Sequence, residues 1–297
     1  MDDATLAALR TAASALFDIG FAAMAGALAT PALLRDASSA WATRCSWRCR
    51  TLFAAGGTVA LAASLAWMWV EAISMAESPP LAALMDIGGI VAGTGFGRAW
   101  AVATVGLAAS LALTSACRLR AMPLRTLALV LVVVAVAHAS AGHAGANGIG
   151  WLVPATTVHL LATGLWAGSV FAAALVVLRG RPDAIDVVRH ARGLSSTATA
   201  ALAGVAATGV AIAWHGLDGS AAALAPASGS SWGFALDVKL ALVAIAAALG
   251  AFNRFAVMPA LPASWPRFAH VLRVEAGVLL AALVAAAVLA NGEPPVV

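Results

Sequence analysis

Of the chain's 297 residues, 62% are apolar and only 10% are charged. Soluble domains average near half and a quarter, so a water-facing globule is excluded. A core of ordinary size could not hide so much apolar surface, and lipid is the remaining solvent. The net charge is +4 and the pI near 9.8, yet no aromatic-interleaved basic stripe offers a nucleic-acid footprint. The cations fall instead in short connections between apolar runs, as the positive-inside rule requires.

A membrane-crossing helix needs about 20 apolar residues for roughly 30 Å of hydrocarbon. On that rule the first span covers residues 5–34, and Arg35, Arg44, Arg48 and Arg50 form a basic connection after it. The start, Met1-Asp2-Asp3, has no basic n-region, so this run is expected to stay as a span rather than leave as a signal peptide. Span two covers 51–76. Residues 78–97, broken by Pro and Gly, are too short to cross and are expected to hold a short interfacial helix. Span three is 98–117, followed by Arg118, Arg120 and Arg125; span four is 126–142. Span five, 152–178, precedes Arg179, Arg181, Arg189 and Arg192. Span six is 194–215, with a small-residue loop after it. Span seven is 232–252, with Arg254 and Arg267 beyond it, and span eight is 270–290.

The fold class is therefore all-α, a polytopic transmembrane bundle of about eight spans. Fourteen of the seventeen cations fall on one face, and only Arg10, Arg98 and Lys239 on the other. That asymmetry predicts periplasmic termini, in agreement with an even span number. No repeat period or low-complexity linker divides the chain, so residues 1–297 read as one domain.

Four of the six histidines, His138, His143, His159 and His215, map to the outer face or the outer third of the spans. On a continuous helix His138 would sit about 7 Å below His143, at 1.5 Å per residue. The pattern allows a rim pair, His143 and His215, and a deeper pair, His138 and His159. Imidazole is the commonest transition-metal ligand and suits copper in either oxidation state. A lone membrane histidine commonly just bonds a neighbouring helix, but four on one side point to a metal site.

Met68, Glu71 and Met75 stand at i, i+3 and i+7 on span two, a secondary candidate set whose thioethers would favour Cu(I). Methionine is also ordinary apolar filler, whereas a carboxylate in lipid needs a partner or a water path. Cys45, Cys49 and Cys117 map to the opposite, reducing side, where a disulfide is not expected and a Cu(I) exit site is the functional alternative to an incidental role. Asp18, Asp237, Lys239, Arg273 and Glu275 also lie in or near spans. Asp237 and Lys239 are too close in sequence to face each other, so each is expected to pair with another span. A structural role is expected for all five. Gly93-Thr-Gly-Phe-Gly97 lacks G-x-G-x-x-G spacing and a preceding strand, so it is no nucleotide loop. No Walker motif, catalytic triad order or H-E-x-x-H signature appears, and no enzyme is expected.

Four pieces in order, rather than any one of them, carry a family resemblance. Gly142-His143-Ala144 with His159, Trp166 and Gly168 resembles the central signature of the CopD family of copper transporters. Thr94-Gly-Phe-Gly-Arg-Ala-Trp100 resembles the family's entry to span three. Trp232-Gly233 through Lys239, then Asn253-Arg254 and Pro259, resembles its seventh-span block, and Arg273-Val-Glu275 the opening of its last span. The resemblance runs over about 94–294; the first ninety residues match only in general character. Thr156, Ser169 and the absence of an arginine after Trp100 depart from the pattern.

The resemblance implies copper transport across the bacterial inner membrane, from periplasm to cytoplasm. The chain has no room for a fused periplasmic copper-binding domain, so a separate donor of the CopC type is the implied partner. Two alternatives stay open: a non-transporting copper-binding or assembly module, and a b-type haem protein with His138 and His159 as axial ligands.

Overall fold

The computed structural model describes residues 1–34, 40–117, 123–146, 148–179, 184–217 and 229–292. Arg35, Arg118, Arg120, Arg181, the small-residue loop over 218–228 and the tail from 293 lie outside the described residues. Helices follow one another without a strand among the described residues. They are α1 (Asp3–Leu33), α2 (Ala40–Ala76), α3 (Ala83–Gly93), α4 (Gly95–Ala116), α5 (Leu124–Ala141) and α6 (His143–Ala146). Then come α7 (Leu152–Leu175), α8 (Ala184–Gly216), α9 (Ser231–Phe252) and α10 (Trp265–Ala290). All but α3 and α6 are long and apolar enough to cross a membrane, which makes eight spans. The segment before span three does form a short helix, α3.

Helix starts follow the sequence's capping residues. The Asp2 carboxylate accepts from the Thr5 N–H at 2.9 Å, the Thr94 hydroxyl from Gly97 N–H at 2.9 Å, and the Ser230 hydroxyl from Gly233 N–H at 3.0 Å. Each occupies one of the orphan donors of a first helical turn. Two helices start well before the hydropathy boundary. Helix α2 begins at Ala40 and α8 at Ala184, so Arg44, Arg48, Arg50, Arg189 and Arg192 are helical rather than parts of connecting loops. Charge ends an apolar run without ending a helix, and neither stretch contains a proline to break one. The α2 extension is packed, with Trp41, Cys45 and Cys49 all buried.

Helix α1 is the hub. It packs along α2 and α7 and also meets α5 and α10, while α7 pairs with α8, α4 with α5, and α9 with α10. The apolar windows of α1 and α7 are 56% and 61% buried, against 11% for α8 and α9, so the latter pair presents most of its surface to lipid. Lipid removes the hydrophobic drive between helices, and close backbone packing at small residues takes its place. Gly26 of α1 meets Gly168 of α7 so closely that a Cβ on Gly26 would lie 1.7 Å from the Gly168 carbonyl oxygen. Gly20 meets Gly56 of α2 in the same way, at 2.6 Å from the Gly56 oxygen. These contacts set where α7, and the histidine it carries, sits against the hub.

Candidate metal centre

Among the predicted ligands, His159 has the best-defined setting. Its Nδ1 lies 3.0 Å from the Thr208 hydroxyl oxygen on α8. That hydroxyl gives its single hydrogen to the Gly204 carbonyl, at 2.6 Å, so toward the ring it is an acceptor. With the imidazole proton on Nδ1, donated to that hydroxyl, the Nε2 lone pair is left for a ligand. Gly209 makes the approach feasible, since a Cβ there would stand 3.3 Å from His159 Cε1. Lys239 on α9 lies within electrostatic reach of both His159 and Asp18 of α1. Among the described residues no ion pair within 4.0 Å joins Lys239 to Asp18.

His138, near the end of α5, is enclosed by rings. It stacks on Phe17 of α1 with centroids 3.9 Å apart and planes 10° from parallel, and Trp67 of α2 lies at 5.4 Å. The Trp67 indole N–H donates to Glu71 at 3.0 Å, and Arg10 donates to the same carboxylate from Nε at 2.6 Å and Nη2 at 3.2 Å. Glu71 is thus anchored by a two-pronged guanidinium contact, the strong form of charge-assisted pairing. Trp67 joins two candidate sites that the spacing treated separately, the deep histidines and the α2 cluster. The α2 sulfurs diverge: Met68 is fully buried and Met75 is 52% exposed. Glu71 shares its working face with Trp67 and Ser74, which also receives an Arg10 hydrogen bond.

At the rim, the chain leaves α5 at Gly142 in an extended conformation before the four-residue α6. His143 is therefore not one and a half turns above His138 on one helix; the glycine breaks the helix and resets its direction. His143 is exposed. Next to α6, a cavity of about 520 Å³ opens among Phe96, Ser140, Gly145 and Val153. His215, half-buried at the end of α8, meets the exposed Trp151 edge-on at 5.8 Å.

The four histidines thus lie on α5, α6, α7 and α8, each against a different neighbour. Among the described residues no three His, Cys, Asp or Glu side chains gather as a group able to hold a metal. At the far end, Cys45 and Cys49 are fully buried, and Cys117 is half-buried with its carbonyl accepting from Arg50. All three are free thiols.

Residues that spacing alone did not single out complete these settings. Phe17, Trp67 and Arg10 surround the His138–Glu71 cluster, and Thr208 hydrogen-bonds His159. Trp67 stands four residues before Glu71, a helical-face spacing that could have flagged it. Phe17 and Thr208 meet their histidines across the bundle, with no local signal. His190, buried near Trp41, has no hydrogen-bond partner at either ring nitrogen among the described residues.

Residues 188–289 match the family model described as Copper resistance protein D, and residues 1–154 match Copper resistance protein D-like, N-terminal domain. The second match extends the likeness over the first ninety residues, where the sequence motifs were silent. His159 and Trp166 fall between the two matched segments, while His138, His143 and His215 fall inside them. No curated protein and no solved structure matches the chain.

Proposed function

The chain belongs to the copper resistance protein D family, and we propose that it carries copper across the bacterial inner membrane from periplasm to cytoplasm. As a member with eight membrane-length helices it is a multi-pass membrane protein of copper resistance. The observation that carries the transport reading is the state of His159. An imidazole inside an apolar span, its Nδ1–H committed to Thr208, offers a neutral Nε2, the form in which histidine ligates transition metals.

Copper is cargo in this reading, as Cu(I) or Cu(II), and the protein is a carrier rather than an enzyme. His143 and His215 take the ion at the rim; His138 and His159 receive it deeper. Because the four side chains stand apart, they act as successive stops and not as one cage. Met68, Glu71 and Met75 form a secondary stop, with Glu71 serving first as the anchor of Arg10. Cys45, Cys49 and Cys117 line the exit end. The distribution of cations supports periplasmic termini, which puts the histidines where a periplasmic donor of the CopC type delivers copper.

Copper uptake into proteoliposomes tests the reading, comparing the native chain with His159→Ala. Uptake by the native chain that vanishes in the variant is expected. A native chain that binds copper but moves none would overturn transport in favour of a binding and assembly module.

A further inference from the structure

A second polar site lies toward the opposite end of the bundle from the four candidate histidines, His138, His143, His159 and His215. A cavity of about 390 Å³ opens between α7, α8, α9 and α10, with Glu275 and Asn253 in its wall. Glu275 is 3% exposed. The Trp166 indole of α7 lies beside it, and among the described residues no cationic side chain comes within 4.0 Å of it. Gly250 of α9 makes room for it, since a Cβ there would stand 3.3 Å from Oε1. A carboxylate in lipid with one neutral donor and no counter-charge is costly as an anion; a proton removes that cost.

Asn253 stands in the same cavity wall. It is 4% exposed, and among the described residues both its carboxamide nitrogen and oxygen lack a hydrogen-bond partner. It opens a five-residue π-turn, Asn253–Val257, at the end of α9; such widened turns recur at functional sites because they release backbone and side-chain polar groups from the helix ladder. An orphaned amide that can both donate and accept, beside a carboxyl group and a space many times the roughly 30 Å³ share of one water, is the setting for a short water chain.

We propose that this cavity is a proton-binding station, in which Glu275 takes up and releases a proton to water held by Asn253. The donor set argues against a metal here, because one carboxylate and no histidine or cysteine line the space. Arg254 is the other charged group in the wall. Its guanidinium is held by the Thr199 and Ser195 hydroxyls of α8 at 2.9 and 3.4 Å, where it repels a second cation. From the elements around Glu275, α7 presents Trp166, α8 the two hydroxyls and α9 Gly250, none of which titrates; α1 contributes nothing to the wall. The proton leaves to cavity water and returns from it, so no further reactant is needed. Its use as the coupling ion for copper rests on the transport reading above.

The first test uses the purified, copper-free chain and a hydrophobic carbodiimide, which modifies protonated carboxyl groups in apolar surroundings. Peptide mass spectrometry is expected to find Glu275 modified, with labelling that falls as pH rises and is absent in Glu275→Gln. An unmodified Glu275 at acidic pH, or labelling indifferent to pH, overturns the station. That assay needs no variant to fold and no copper, so it stands or falls apart from transport. In proteoliposomes, Glu275→Gln is expected to lose the dependence of copper uptake on a pH gradient while retaining copper binding, whereas His159→Ala loses uptake itself. Unchanged pH-gradient dependence in Glu275→Gln overturns the coupling.

Discussion

Replacing Gly168 by alanine tests whether backbone contact between α1 and α7 holds the bundle together. The new Cβ would stand 1.8 Å from the Ala22 carbonyl oxygen and 2.7 Å from the Gly26 nitrogen. Ordinary carbon–oxygen contacts lie near about 3.4 Å, so the helices must part by on the order of 1.5 Å along that line. Both opposing atoms are backbone, and no flexible side chain can yield in their place. Overpacking of this kind costs about 1–3 kcal/mol, which lowers the folded-to-unfolded ratio by roughly 5- to 150-fold. The matched control is Gly277→Ala on α10, where a Cβ meets nothing within 4 Å and the change is expected within about 0.5 kcal/mol of zero. Denaturant unfolding in detergent, followed by the fluorescence of the ten tryptophans, measures both variants. If the Gly168 variant unfolds with the midpoint of the native chain and of the control, the close α1–α7 contact is not what secures the fold.

Three further perturbations address the metal centre. Thr208→Val keeps the shape of the side chain but removes the acceptor that fixes the His159 proton; copper affinity measured by competition with a chelator is expected to fall about tenfold or more. Equal affinity would mean that Thr208 does not orient the ring. His138→Phe preserves the stack on Phe17 and the tilted contact with Trp67, so stability should stay within about 1 kcal/mol while the deep copper stop is lost; an unaltered copper stoichiometry would remove His138 from the route. Glu71→Gln weakens the Arg10 contact, whose partners are 30% and 18% exposed. Because both are partly screened, a loss of about 1 kcal/mol is expected, shrinking at high salt, and a salt-independent loss would argue that packing rather than charge is at stake.

The hydropathy pattern located every span, because lipid demands long apolar helices with internally satisfied backbone. It misplaced the starts of α2 and α8 for the same reason: transfer into lipid ends at the first arginines, whereas the helix continues to its next backbone interruption. Gly142 shows the converse. A single glycine after His138 reads as a minor feature of an apolar run, yet it separates His143 from the α5 axis. The histidines themselves were visible as rare intramembrane polar residues. Their surroundings were not, since Phe17 lies 121 positions from His138, and Thr208 49 from His159.

Composition and periodicity alone determined that this chain lives in a bilayer, how many times it crosses, and where its rare intramembrane histidines stand along the spans. Those properties are sums over local segments, and each segment responds to lipid independently of the others. The tertiary structure decided that His159 meets Thr208, that Glu71 is held by Arg10, and that Glu275 and Asn253 line one cavity. Each of these depends on the distance between helices remote in sequence, which small residues such as Gly26 and Gly168 set by letting two backbones touch.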